Sequence, residues 1–179
     1  MEQRFILRPA LGTGCLLLVP LMAMRFTDHV AWNGLDFAVA GILLFGTGVT
    51  FELLARRAGN TMHRAALGLA VLTAFALVWV NLAVGLIGSE GNPVNLLYGG
   101  VLAVPLVGAT ITRLRPAGMA RALFATALVQ ALVPLIALLI WNSQIAFDET
   151  LVRTLVLNAV FVVSFAGSGW LFRSAHPVS

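Results

Sequence analysis

The chain has 179 residues, 60% of them hydrophobic and 10% charged, with a formal net charge of +4. A soluble domain carries roughly 25% charged residues, so this chain cannot cover a water-facing surface and lipid must solvate most of it. All 11 basic residues are arginine, no basic run interleaved with aromatics marks a nucleic-acid surface, and a pI near 11 reflects arginines at helix ends facing anionic headgroups.

A helix needs about 20 apolar residues to cross the hydrocarbon core. Six runs supply them, at about 9–26, 33–54, 65–88, 93–112, 119–140 and 154–172. The first is the weakest, because Pro9 to Met24 is uncharged but only 16 residues long and contains Gly12, Gly14 and Pro20. Arg8 and Arg25 can snorkel to lengthen it. A cleaved signal peptide is the competing reading, since basic residues precede a short apolar stretch, although no clear A-x-A site follows. Pro105 and Pro134 fall inside the fourth and fifth runs, where neighbouring helices can satisfy the freed carbonyls. The expected fold is all-α: one polytopic membrane domain, a bundle of six transmembrane helices with short loops.

Nine of the 11 arginines fall before the first run, in alternate gaps, or after the last: Arg4, Arg8, Arg56, Arg57, Arg64, Arg113, Arg115, Arg121 and Arg173. Short arginine-rich loops stay in the cytoplasm, so both termini are expected to be cytoplasmic. The remaining gaps hold Arg25 and Arg153 with Asp28, Glu90, Asp148 and Glu149. Trp32, Trp79, Tyr98 and Trp141 then fall towards the outer interface, with Trp170 and Phe172 towards the inner one, the headgroup level that amphipathic rings favour.

Small residues that let backbones approach hold helices together in lipid. Ala66, Ala70 and Ala74 form one stripe, Gly41 and Gly48 another, and Gly100 and Gly108 a third, while Ala122, Thr126 and Gln130 share a face. A weak internal repeat relates Gly41-Ile42-Leu43 to Gly100-Val101-Leu102, and Met62-x-Arg64-Ala65 to Met119-x-Arg121-Ala122. It would make runs two–three and four–five duplicated hairpins; chance similarity in a low-complexity sequence gives the same pattern.

The densest polar segment runs from Trp79 to Asn95 between runs three and four. Gly88 can end the third helix, Ser89-Glu90-Gly91 can turn, and Asn92 can cap the fourth helix with Pro93 at its first position. Asn81 sits within the apolar layer about two turns before Gly88, and Glu90 can fold back towards it. The string W-x-N-L-A-V-G-x-I-G-S-E-x-N-P-x-N resembles one found in a family of small, uncharacterised bacterial inner-membrane proteins, and the likeness is strongest from about Asp36 to Ala131. The resemblance implies a bacterial inner-membrane location and brings no activity.

Asp36 lies about one turn inside the outer end of the second run, where a carboxylate is costly unless hydrated, paired or protonated. Arg153 and Arg25 are available partners. Asn158 faces the same outer half from the sixth run. Glu52 precedes Arg56 by four residues, the better order for a helical ion pair. Gln130, near the middle of the fifth run, is suited to an interhelical hydrogen bond. Asp148 and Glu149 can cap the sixth helix through its dipole.

Two functional readings follow. In the first, the bundle binds or transports an ion, lipid or small solute through an outer-half pocket lined by Asp36, Asn81, Glu90, Asn95 and Asn158. In the second, it is a non-catalytic accessory or assembly subunit of a larger membrane complex. Membrane lipids, a homo-oligomer or a complex partner are the expected associations, with no nucleic acid. No HExxH, GxSxG or phosphate-loop lysine is present, so neither an enzyme nor a catalytic residue is expected. Cys15 is the sole cysteine, and His29, His63 and His176 fall in expected loops or the tail, so neither a metal site nor a cofactor is expected.

Overall fold

The computed structural model describes residues 2–27, 31–140 and 149–175. Asp28, His29, Trp141, Asp148 and His176 lie outside the described residues. The described chain forms α1 (Glu2–Phe26), α2 (Gly34–Ala55), α3 (Thr61–Ala83), α4 (Leu97–Thr112), α5 (Pro116–Ile140) and α6 (Glu149–Ser174), with a 3-10 turn at Pro93–Leu96 leading into α4. Among these residues, six helical segments are long and apolar enough to cross a membrane, with mean hydropathy from 1.7 to 2.3. Their outward faces carry Leu35, Ile42, Leu106, Ile111, Leu139 and Val163, all largely exposed. Side chains of this kind are stable there against hydrocarbon and costly against water.

The chain divides into two compact units, Met1–Arg57 and Ala58–Ser179. The first is the α1–α2 hairpin, closed by a near approach of backbones: a Cβ on Gly48 would stand 2.9 Å from Pro9 Cβ. Because Pro9 is early in α1 and Gly48 late in α2, the helices are antiparallel, and the start of α1 and the end of α2 share one end. There Arg8 pairs with Glu52 at 3.7 Å, and the Arg56 guanidinium lies 4.5 Å over the Phe5 ring. Glu52 thus uses the neighbouring helix rather than the Arg56 one turn on, whose charge is met by an aromatic face.

The second unit is a set of four helices in which α5 packs on both α4 and α6, and α6 also packs on α3. Small residues again set the approach. A Cβ on Gly108 would collide with Ala122 across the α4–α5 pair, and one on Gly118 would collide with Thr112. A Cβ on Gly169 would stand 3.2 Å from the Ala120 carbonyl oxygen, and the Ser168 hydroxyl donates to the Ala66 carbonyl at 2.7 Å. These contacts join the end of α6 to the starts of α3 and α5, and the end of α4 to the start of α5. Arg64, Arg113, Arg115, Arg121 and Arg173 therefore lie at one end of the unit. The helices α2 and α3, which the sequence repeat would pair, belong to different units.

Helix boundaries follow local chemistry where it departs from hydropathy. Asn60 caps α3 by accepting from the His63 amide at 2.8 Å, so the helix begins four residues before the apolar run. Pro116 opens α5 in the first-turn position that tolerates a missing N–H. The third helix ends at Ala83 rather than at residue 88, because Gly85 already turns the chain at φ +71.

Candidate functional site

Between α3 and α4, residues 84–92 form a loop whose apolar members Leu86 and Ile87 are buried. A buried loop must find partners for its backbone polar groups, and Asn95 supplies them. Its Oδ1 accepts from the amides of Leu86 at 3.2 Å and Ile87 at 3.0 Å. Its Nδ2 donates to the carbonyls of Ile87 at 3.3 Å and Ser89 at 2.7 Å. An asparagine has two amide hydrogens and two acceptor lone pairs, so the loop uses all four. Gly85 and Gly88 each adopt φ +71, and a Cβ on Gly85 would collide with the Ser89 carbonyl. Asn92 accepts from the Val94 amide at 3.0 Å and so opens the 3-10 turn with Pro93 at its start. Gly88 has the expected positive φ, but α3 has already ended ahead of Gly85, and Asn92 caps the 3-10 turn at Pro93 rather than α4 itself, which starts at Leu97 without a side-chain cap.

Asn81 donates its Nδ2 to the Asn95 carbonyl at 3.0 Å, tying α3 to the 3-10 turn. Its Oδ1 is buried and has no partner. Glu90 is exposed at the tip of the loop and does not fold back on Asn81. Arg153 donates to the Gly88 carbonyl at 3.4 Å from the start of α6.

Below this loop lies a second polar cluster. Asn158 of α6 accepts through Oδ1 from the Tyr98 hydroxyl of α4 at 2.8 Å and from Gln130 Nε2 of α5 at 2.9 Å. Its Nδ2 donates to the Thr154 carbonyl one turn back, at 2.8 Å. Tyr98, Gln130 and Asn158 are all buried, Gln130 with no exposed surface. Gln130 Oε1 has no partner. At 1.5 Å rise per residue, Gln130 lies about 15 Å from the last residue of α5, about half the hydrocarbon thickness. An unsatisfied carbonyl at that depth costs several kcal/mol by order of magnitude. Among the described residues Gln130 Oε1 is the acceptor of this cluster that no protein donor reaches.

Of the residues singled out from the sequence, Asn81, Asn95 and Asn158 belong to the four-helix unit and all three are tied into its hydrogen bonds. Asp36 belongs to the hairpin unit and is engaged at the start of its own helix. Its Oδ2 accepts from the Asn33 amide at 2.8 Å, while Asn33 Oδ1 accepts from the Leu35 and Asp36 amides at 2.7 and 3.1 Å. Trp32 and Phe37 close over this capping box edge to face, with centroids 5.3 Å apart, the hydrophobic staple that fixes a helix start. Sequence reasoning placed Tyr98 at the interface and did not connect it to Asn158. The i, i+3 spacing of Asn95 and Tyr98 was the available signal that both face inward.

Among the described residues no group of His, Cys, Asp and Glu is arranged to hold a metal ion. Comparison with known proteins finds no family model, no curated protein and no solved structure that matches this chain.

Proposed function

We propose that the protein is a multi-pass protein of a bacterial inner membrane with both termini cytoplasmic, and that its four-helix unit binds a small hydrogen-bond-donating solute or cation. Orientation rests on the grouping of arginines at one end of each unit, which is the distribution that keeps short loops inside. The bacterial location rests on the resemblance of the 79–95 segment. The binding reading rests chiefly on one observation: the buried carbonyl oxygens of Gln130 and Asn81 have no partner. Asn158, bonded by both Tyr98 and Gln130, fixes the first of these groups, and Asn95 fixes the second through its carbonyl. Glu90 is exposed on the loop, and Asp36 belongs to the other unit.

The test is purification in native-lipid discs followed by mass spectrometry of the small molecules and ions retained. The expected result is a species held by the wild-type chain and lost from Gln130→Leu. If the wild-type chain retains nothing while Gln130→Leu is the more stable protein, the layer is only a hydrated packing defect and the reading fails.

A second reading, an accessory subunit of a membrane complex, is favoured by α4. Gly99, Gly100 and Ala103 are exposed on it, and no atom stands within 4 Å of a Cβ placed on either glycine. Small residues facing lipid are the surface on which another helix packs. A stable protein partner retained in the same discs, and lost on Gly100→Leu, would favour this reading over the first.

A further inference from the structure

The turn between α4 and α5 borders an open surface groove of about 530 Å³ lined by the exposed Arg113, Arg115 and Arg121 together with Ile111, Thr112 and Ala117. That volume lies within the range of roughly 300–1,000 Å³ typical of small-ligand sites. The turn is built with two successive non-glycine residues in the left-handed region, Arg113 at φ 52 and Leu114 at φ 61. Such residues are uncommon and carry a conformational cost. Backbone bonds from Leu114 to the Ala109 carbonyl at 3.1 Å and from Arg115 to the Thr112 carbonyl at 3.1 Å hold the turn closed. Arg121 is folded back over the first turn of α5, its Nε donating to the Ala117 carbonyl at 3.3 Å. Among the described residues none of the three guanidiniums forms a salt bridge.

Three like charges around one groove repel one another, and an anion between them removes the repulsion. The guanidinium fork matches phosphate oxygens two at a time. The start of α5 adds the positive end of a helix dipole on the same side. The groove also lies where the apolar span Pro93–Thr112 ends and the span Pro116–Leu139 begins, and the headgroup phosphates lie just beyond the ends of an apolar span. We propose that this groove binds a phosphate-bearing anion, either the headgroup of an anionic membrane lipid or a soluble phosphate. The proposal uses residues at the opposite end of the unit from the polar layer and stands whether or not a solute binds there.

The full chain would be placed in phosphatidylcholine discs doped with phosphatidylglycerol, and retained lipid counted by native mass spectrometry. A second arm would follow thermal unfolding in pure phosphatidylcholine discs with inorganic phosphate or with chloride at matched ionic strength. The variants are Arg115→Gln with Arg121→Gln, the same pair changed to lysine, and Arg173→Gln as a control at the same end. The wild-type chain is expected to retain phosphatidylglycerol at least tenfold better than the glutamine pair, with the lysine pair intermediate and the control unchanged. If soluble phosphate is the ligand, it raises the unfolding midpoint of the wild-type chain and not of the glutamine pair. Equal behaviour of the wild-type chain and the glutamine pair in both arms overturns the proposal, as does an equal loss in the control. Should the glutamine pair fail to fold, the lysine pair decides: a loss of at least threefold supports the site, and wild-type behaviour in both arms overturns it.

Discussion

Replacing Asn95 by alanine removes four hydrogen bonds at once: the Leu86 and Ile87 amides and the Ile87 carbonyl lose their side-chain partner, while the Ser89 carbonyl keeps the Asn92 amide at 3.1 Å. Side-chain hydrogen bonds within membrane proteins average about 0.6 kcal/mol, and those in soluble proteins about 1 kcal/mol. Four of them are worth about 3 kcal/mol, or roughly a 150-fold shift in the opening equilibrium of the loop. The change is local, because Asn95 touches residues 86–89 while Tyr98, one turn on, keeps its own bond to Asn158. Hydrogen exchange measured by mass spectrometry on peptides covering residues 84–96 reports it directly, since protection scales with the free energy of local opening. The amides of Leu86 and Ile87 should exchange about 100-fold faster in Asn95→Ala, with peptides from the second half of α4 unchanged. Asn95→Asp should be at least as damaging: it keeps the acceptors but sets a carboxylate against the carbonyl oxygens of Ile87 and Ser89. Exchange within twofold of wild type in Asn95→Ala, on a natively folded protein, would show that the loop is held by something other than this side chain.

Gly85→Ala forces an L-residue to φ +71 and drives its Cβ into the Ser89 carbonyl, so it should destabilise the chain by at least about 2 kcal/mol in detergent-titration unfolding. Gly91→Ala, in the same loop but with open space at its Cβ, should stay within about 0.5 kcal/mol. Asn158→Leu strands the Tyr98 hydroxyl and the Gln130 amide in the protein interior and should cost about 3 kcal/mol, against about 1 kcal/mol for Tyr98→Phe. Combining the two should give a coupling energy of about 0.5–1.5 kcal/mol; strict additivity would mean that the hydroxyl and the amide do not share an acceptor in the membrane.

How far the fold was legible in the sequence depended on the range of the interaction. The six spans follow from hydropathy alone, because each needs only enough apolar length. Helix starts were set by single caps, and Asn60 and Pro116 could have been read as such. The end of α3 was misplaced because Val84, Leu86 and Ile87 continue the apolar run, and apolar residues in a loop are indistinguishable from helix until a partner for their backbone is known. Asn95 is that partner, eight or nine residues further on. Asp36 was read as an ionisable group in an apolar layer. The local string Trp32-Asn33-x-x-Asp36-Phe37 carries both the capping box and the staple, so the role of Asp36 as a cap is written within six consecutive residues.

The Tyr98–Gln130–Asn158 cluster lay beyond sequence reasoning for a different reason. Its bonds span 60 and 28 residues, and only the order in which α4, α5 and α6 pack brings them together. The arginine groove was half legible. The charges stand in the sequence, but the left-handed pair at Arg113 and Leu114 is not signalled by glycine or asparagine, so nothing in the chain announces a groove there.

The orientation of the chain across the membrane is tested most directly by labelling single cysteines from outside. Cys15→Ser removes the native thiol. Gly59→Cys and Gly91→Cys then add one each at positions where neither a positive φ nor a neighbouring atom opposes a side chain. In intact cells whose outer barrier is permeable to small reagents, a membrane-impermeant maleimide should label residue 91, and should reach residue 59 only after the inner membrane is opened. Labelling of both from outside, or of residue 59 alone, would contradict a cytoplasmic location for the arginine-bearing ends.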